Sequence, residues 1–133
     1  MIFQTNCLCG SGLTYSQCCA PFHTGEQIPL TAEKLMRSRF VAYCLQNEAY
    51  LLATWDVSSR PRKLDFTGDN PWLHLEIVST KKGGVNDRKG TVTFNAYFLE
   101  DGTEWILSEV SRFNKVNNRW FYRDGVVKIQ SAE

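Results

Sequence analysis

Cys7-Leu8-Cys9-Gly10-Ser11-Gly12-Leu13-Thr14-Tyr15-Ser16-Gln17-Cys18-Cys19 holds four of the five cysteines of this chain, in two close pairs. Cysteine is ordinarily sparse and buried, so this clustering asks for a chemical cause. A disulfide framework and a metal site compete. A disulfide needs Cα atoms about 4.4–6.8 Å apart with suitable Cβ directions. Cys7 and Cys9 are badly placed to bond to each other, and a Cys18–Cys19 bridge would be strained, which leaves only cross-pairing. Zinc asks for something simpler, four thiolates at about 2.3 Å in a tetrahedron. Gly10-Ser11-Gly12 allows a tight turn with bare N–H groups near the sulfurs. Thr14 can cap one helical turn, Tyr15 to Cys19, that carries the second cysteine pair back to the first. The expected cofactor is zinc on Cys7, Cys9, Cys18 and Cys19, with His23 near enough in sequence to replace one thiol, Cys19 foremost.

Cys-x-Cys-Gly-Ser-Gly, the aromatic Tyr15 and the terminal Cys-Cys resemble the SEC-C motif, the small zinc knuckle found at the end of the SecA translocase ATPase. The resemblance implies the same four ligands, Cys7, Cys9, Cys18 and Cys19. Members of that family often carry Pro between the first two cysteines and Lys around the tyrosine, whereas this chain has Leu8, Leu13, Thr14, Ser16 and Gln17. No Asp, Glu, Lys or Arg occurs before Glu26. The segment therefore supplies no basic side chain against the formal charge of about −2 on a four-thiolate zinc site. Nucleic-acid backbones are gripped by Lys and Arg, so this knuckle is poorly equipped for them.

The whole chain, 133 residues at a net charge of +1, suits one core-bearing domain with a short appendage: residues 1–24 as the knuckle and 25–133 as the main domain. The charge balance advertises neither a nucleic-acid nor a membrane partner, and no apolar run approaches the roughly twenty residues of a membrane span. Thiols without a basic-plus-apolar leader point to the cytoplasm.

Residues 20–29 read as a connector broken by Pro21, Gly25 and Pro29. Thr31 is a credible N-cap for a helix from Ala32 to Gln46, where Met36, Phe40, Tyr43 and Cys44 form one apolar stripe. Asn47 can cap a second, shorter helix carrying Tyr50, Leu51 and Trp55. Residues 58–70 read as a loop with a brief extended piece at Leu64–Phe66. After Pro71 the period changes to two. Leu73, Leu75 and Ile77 share one face, as do Val92, Phe94, Ala96 and Phe98, and then Trp105, Leu107, Glu109, Ser111 and Phe113. Glu100-Asp101-Gly102 and Asn117-Asn118 mark hairpin turns before a last strand with Trp120 and Tyr122. Helices followed by an antiparallel meander give an α+β fold with helices packed on one face of a curved sheet.

That order resembles the cystatin-like, nuclear-transport-factor-type cone. With Leu35-Met36-Arg37-Ser38-Arg39-Phe40, Ser111-Arg112-Phe113 and Trp120-Phe121-Tyr122-Arg123-Asp124-Gly125, the chain is similar to the bacterial YchJ family, a SEC-C knuckle joined to such a cone. The resemblance implies a pocket between helix and sheet but no settled activity.

Glu109 is the candidate acid or base, because a carboxylate on an apolar face is costly unless paired. Pairing with Arg37, Arg39 or Arg112, fixing helix to sheet, is the alternative for it. The expected pocket residues are Trp55, Trp105, Glu109 and Arg112. His74 opposes the apolar face of its strand, and Cys44 has no neighbouring base to make it a nucleophile. Arg60, Arg62, Lys63, Lys81, Lys82, Arg88 and Lys89 form basic loops that RNA or an acidic protein could meet. The reading that best fits is a zinc-binding adaptor or binding protein with a protein partner and a homodimer contact through the sheet. An enzyme using Glu109 and an RNA binder are the alternatives.

Overall fold

The protein is described here by a computed structural model covering residues 5–66 and 71–132. The order is α1 (Ala20–Thr24), α2 (Ala32–Cys44), α3 (Glu48–Ala53), β1 (Trp72–Lys82), β2 (Lys89–Glu100), β3 (Thr103–Val116) and β4 (Arg119–Ser131). The strands form one antiparallel sheet in the order β1-β2-β3-β4, with the helices on one face, the α+β arrangement expected from the change of period. Both tight turns rest on left-handed residues, Asp101-Gly102 and Asn117-Asn118, at φ values of 50, 78, 51 and 66°. This is the twist-matched geometry that Asn, Asp and Gly tolerate best.

Thr31 and Asn47 cap their helices as expected. The Thr31 side chain accepts from Lys34 N, and the Asn47 side chain accepts from Tyr50 N. Helix α2 ends at Cys44 rather than Gln46, which already has φ 56°. Its apolar stripe names only one of two buried faces. Leu35, Val41 and Ala42 are also buried, together with Ser38 and Arg39, because α2 lies between the sheet on one side and α3 and the cysteine segment on the other.

The connector reading of residues 20–29 is corrected. Pro21 stands in the first turn of α1 and Gly25, at φ 84°, closes it. Both residues bound a helix instead of preventing one. Leu64–Phe66 is not a strand; Leu64 N donates instead to Glu48 Oε2 at 2.6 Å. Part of that loop, residues 67–70, lies outside the described residues. In β1 the register slips between Trp72 and His74, so Leu73 bulges out to 40% exposure while Trp72 turns inward. Lys81, Lys82 and Lys89 sit on strands rather than in loops.

Candidate functional site

The knuckle is closed by backbone bonds from Cys7 N to Leu13 O at 2.7 Å and from Tyr15 N to Thr5 O at 3.0 Å. Gly10 and Gly12, at φ 83 and 87°, turn the chain between them. Thr14 is extended and gives no side-chain cap; the expected helical turn is a short 3-10 turn, Tyr15–Gln17. It nevertheless returns Cys18 and Cys19 to Cys7 and Cys9. All four sulfurs lie within 4.8 Å of one another, with Cys9–Cys18 at 3.6 Å and Cys18–Cys19 at 3.9 Å. A tetrahedron of thiolates about 2.3 Å from zinc has edges of about 3.8 Å, so the donor set fits a closed structural site. None of the cysteines is in a disulfide. The packed sulfurs titrate together: hydrogen bonds from Cys19 and Cys7 lower the Cys9 thiol, while the bonds to Cys9 and burial raise Cys7 and Cys19. Bound there, zinc would supply cross-linking of the two cysteine pairs and no open position for chemistry.

His23 is not turned to the sulfurs. Its Nε2 lies 2.8 Å from Ser38 O, and a carbonyl can only accept, so Nε2 carries the proton. Nδ1 is then the acceptor for Tyr15 O–H at 2.6 Å. Burial lowers the His23 pKa, although the Ser38 bond opposes it. Beneath the ring, Tyr50 stands edge-on at 4.8 Å and its hydroxyl meets Ser38 Oγ at 2.7 Å. A basic group also reaches the site from outside the segment. Arg37 Nη1 donates to Cys9 O at 2.6 Å while its Nε pairs with Glu33 at 3.0 Å. The expectation that no basic side chain stands near the thiolates is thereby corrected.

A half-open cavity of about 220 Å³ lies between α2 and the concave face of the sheet. Arg39, Phe40, Tyr43, Trp72, Phe94 and Glu109 are among its walls. Glu109 Oε2 accepts from Tyr122 O–H at 2.8 Å and from Ser111 O–H at 2.6 Å. Burial, with the Glu109 charge beside it, pushes the Tyr122 phenol up and keeps it a donor. The proposed pairing of Glu109 with Arg37, Arg39 or Arg112 does not occur: among the described residues the two ion pairs are Arg37–Glu33 and Arg112–Asp124. Arg39 is 2% exposed and donates from Nη1 to Leu51 O at 2.8 Å and Thr54 Oγ1 at 2.7 Å. Its guanidinium carbon stands 4.9 Å from the Trp55 ring centre and 4.7 Å from that of Tyr122, a buried cation held by ring faces.

Of the four expected pocket residues, Glu109 alone is in the cavity wall. Arg112 points to the opposite face of β3, exposed and bidentate to Asp124 at 2.6 and 2.5 Å. Strand alternation already separates it from Glu109. Trp55 backs onto Arg39 and Tyr122, and Trp105 stands at the far end of β3 beside Ser131. Met36, Phe40, Tyr43 and Trp72 were missed as lining residues. The α2 stripe signals the first three, and the bulge at Leu73 hides Trp72. Cys44 is half-buried with its thiol pushed up to about 12 by burial, and His74 stacks on Tyr97 at 4.1 Å on the exposed face. Arg60, Arg62, Lys63 and Arg88 are exposed. Among the described residues, no helix is long and apolar enough to cross a membrane.

Residues 31–125 match the family model described as "YchJ, middle NTF2-like domain", and residues 6–21 match the SEC-C motif. A UPF0225 protein of Corynebacterium glutamicum is 46% identical over 123 residues, covering 91% of this chain and 96% of that protein. Another, from Streptomyces coelicolor, is 42% identical over 119 residues, covering 90% and 93%. The solution structure of a SEC-C motif containing protein from Rhodopseudomonas palustris superposes with a TM-score of 0.82 at 32% identity, covering 92% of this chain and 98% of that one. The crystal structure of a SEC-C motif containing protein from Psychrobacter arcticus gives 0.79 at 27% identity, covering 100% and 88%. The cysteine segment and the helix-backed meander are thus the two parts of one known family, and the chain belongs to the YchJ (UPF0225) family of SEC-C proteins with an NTF2-like domain.

Proposed function

We propose that this chain is a small binding protein in which a zinc knuckle acts as a structural clamp and the cavity under α2 is the working site. The observation that carries this reading is the cavity itself. It is aromatic-walled, with a carboxylate aimed by two hydroxyls and a fully buried guanidinium beside it. A mostly apolar concavity with a few convergent polar groups is the usual form of a small-molecule site. The knuckle supports a structural role, because Arg37 and His23 bind it to α2 instead of leaving it free to engage a partner. Thermal stabilisation of the full chain by members of a fragment library, lost on Leu107→Trp substitution that fills the cavity, tests this. Stabilisers indifferent to the substitution would count against it.

A second reading, an enzyme with Glu109 as acid or base, is favoured by one feature. Glu109 reaches the cavity with no Arg in ion-pair range, and both its hydrogen bonds fall on Oε2. Retained ligand binding with abolished turnover in Glu109→Gln would support it.

A further inference from the structure

Arg39 is a buried charge without a counter-ion. Buried charges are nearly always paired. Arg39 is 2% exposed, yet the ion pairs among the described residues are Arg37–Glu33 and Arg112–Asp124. What it touches is neutral: Leu51 O, Thr54 Oγ1 and the rings of Trp55 and Tyr122. Glu109 borders the same cavity but stands outside ion-pair range, its Oε2 taken by the Tyr122 and Ser111 hydroxyls.

A guanidinium carries five N–H donors. Both hydrogen bonds of Arg39 leave from Nη1, so Nε–H and the two hydrogens on Nη2 have no partner. Those nitrogens are not sealed in the core either. Among the described residues, the sealed side-chain donors without a partner are Trp55 Nε1 and Trp72 Nε1. The open space that Arg39 borders is the cavity of about 220 Å³. Nε and Nη2 form one edge of the guanidinium, and their parallel N–H groups match the two oxygens of a carboxylate.

The walls select what carries that carboxylate. The cavity exceeds the ~150 Å³ that accepts a benzene ring in an apolar core, which leaves room for one ring and a carboxyl group. Phe40, Tyr43, Trp72 and Phe94 line it, with Phe40 and Trp72 edge-on at 5.9 Å, and such walls favour a flat ring. Glu109 repels any anion that enters. Its charge is already drawn onto two hydroxyls, whereas the fork of Arg39 would hold a carboxylate at hydrogen-bond contact, where attraction is strongest.

Resting on the cavity reading above, we infer that the cavity takes a small aromatic monocarboxylate. Its two oxygens meet Arg39 Nε–H and Nη2–H, and its ring lies among Phe40, Trp72 and Phe94. The ligand is the counter-ion that the chain does not supply.

Benzoate is the probe, titrated into the full-length metal-bound chain while backbone amide resonances are followed. Benzamide has the same shape without the charge, and benzylammonium carries the opposite one. Benzoate is expected to move the amides of Phe40, Tyr43, Phe94 and Glu109 and to bind roughly tenfold or more tighter than either control. Arg39→Lys keeps the charge and loses the fork, and should weaken benzoate by a factor of about ten while benzamide changes little. Unchanged resonances at the Asp101-Gly102 turn show that a variant is folded. Glu109→Gln leaves the fork in place and removes the repulsion, so benzoate should tighten roughly tenfold and benzamide should not. This arm stands by itself if Arg39→Lys does not fold. Benzoate no tighter than benzamide, benzylammonium tightest at these amides, or benzoate indifferent to Glu109→Gln overturns the ligand class and leaves the cavity as a binding site. Unmoved cavity amides with all three probes overturn both.

Discussion

Arg37 Nη1 lies 2.6 Å from the carbonyl oxygen of Cys9, a hydrogen bond between residues 28 positions apart that fastens α2 to the cysteine segment. The donor is fully charged, and bonds of that class contribute about 1.5–3 kcal/mol net. Arg37→Ala is expected to lower stability by about 2 kcal/mol in denaturant titrations. Outer groups that orient ligands typically change metal affinity by about 10–100-fold. Transfer of metal from the Arg37→Ala chain to a chromogenic chelator should therefore quicken by at least tenfold. Release at the unaltered rate would show that the clamp does not support the metal site.

Metal removal should reach beyond the knuckle. A four-thiolate zinc in a peptide-sized site contributes on the order of 10–16 kcal/mol of apparent binding free energy, far more than the few apolar side chains of residues 5–24 can replace. Elemental analysis of protein made without added metal is expected to find one zinc per chain. Chelation should abolish amide protection in residues 5–24 while β2 and β3 keep theirs. Because Arg37 and Ser38 hold partners in the segment, their stretch of α2 should lose protection in part. Uniform protection with and without chelator, or four oxidised sulfurs and no metal, would remove the metal from the account.

The fold was legible because its signals are local. Asp101-Gly102 and Asn117-Asn118 set the hairpins, the alternation around Val92–Phe98 set the buried face, and Thr31 and Asn47 capped their helices. The four ligand candidates follow from spacing alone, and the cysteine side chains do converge. What escaped depends on contacts between distant segments. Arg37 and Arg39, two apart on α2, part company: Arg37, 23% exposed, serves the knuckle, and Arg39 is buried in the cavity wall. Nothing in the sequence marks the bulge that turns Trp72 inward, or the docking of α1 that makes His23 a bridge instead of a ligand.

His23 predicts a pH dependence with a definite sign. It folds as the neutral ring, proton on Nε2, and burial lowers its pKa below the ordinary value near 6.5. The unfolded chain therefore binds a proton more readily than the folded one as pH falls. Its contribution is fully present above about 6.5 and is lost as pH descends from there through the depressed folded value. Denaturation midpoints should be level from pH 7 to 8 and decline below 6.5. Thiolate protonation and metal loss decline in the same direction, so His23→Gln is the control: the slope that survives in it belongs to the cysteines. Identical slopes in the two proteins would mean that His23 is not the sensor.

Gly125 offers a test whose direction opposes the ordinary rule. It pairs with Ser111 across β3 and β4, and a Cβ there would fall only 2.7 Å from Glu109 Cδ, inside the carboxylate that Tyr122 and Ser111 hold. Replacing an exposed strand glycine by alanine normally gains about 0.5–1 kcal/mol. Here the methyl must displace Glu109 and break two hydrogen bonds to it, at a net cost of about 1–3 kcal/mol. Gly125→Ala should therefore lower the denaturation midpoint, whereas the same change at the open turn residue Gly102 should not disturb Glu109, its cost being confined to the strained φ of 78°. Combining Gly125→Ala with Glu109→Ala removes the obstacle, and the double variant is expected to recover part of the loss, with a coupling of about 1 kcal/mol or more. Additive effects would place the carboxylate somewhere other than against Gly125.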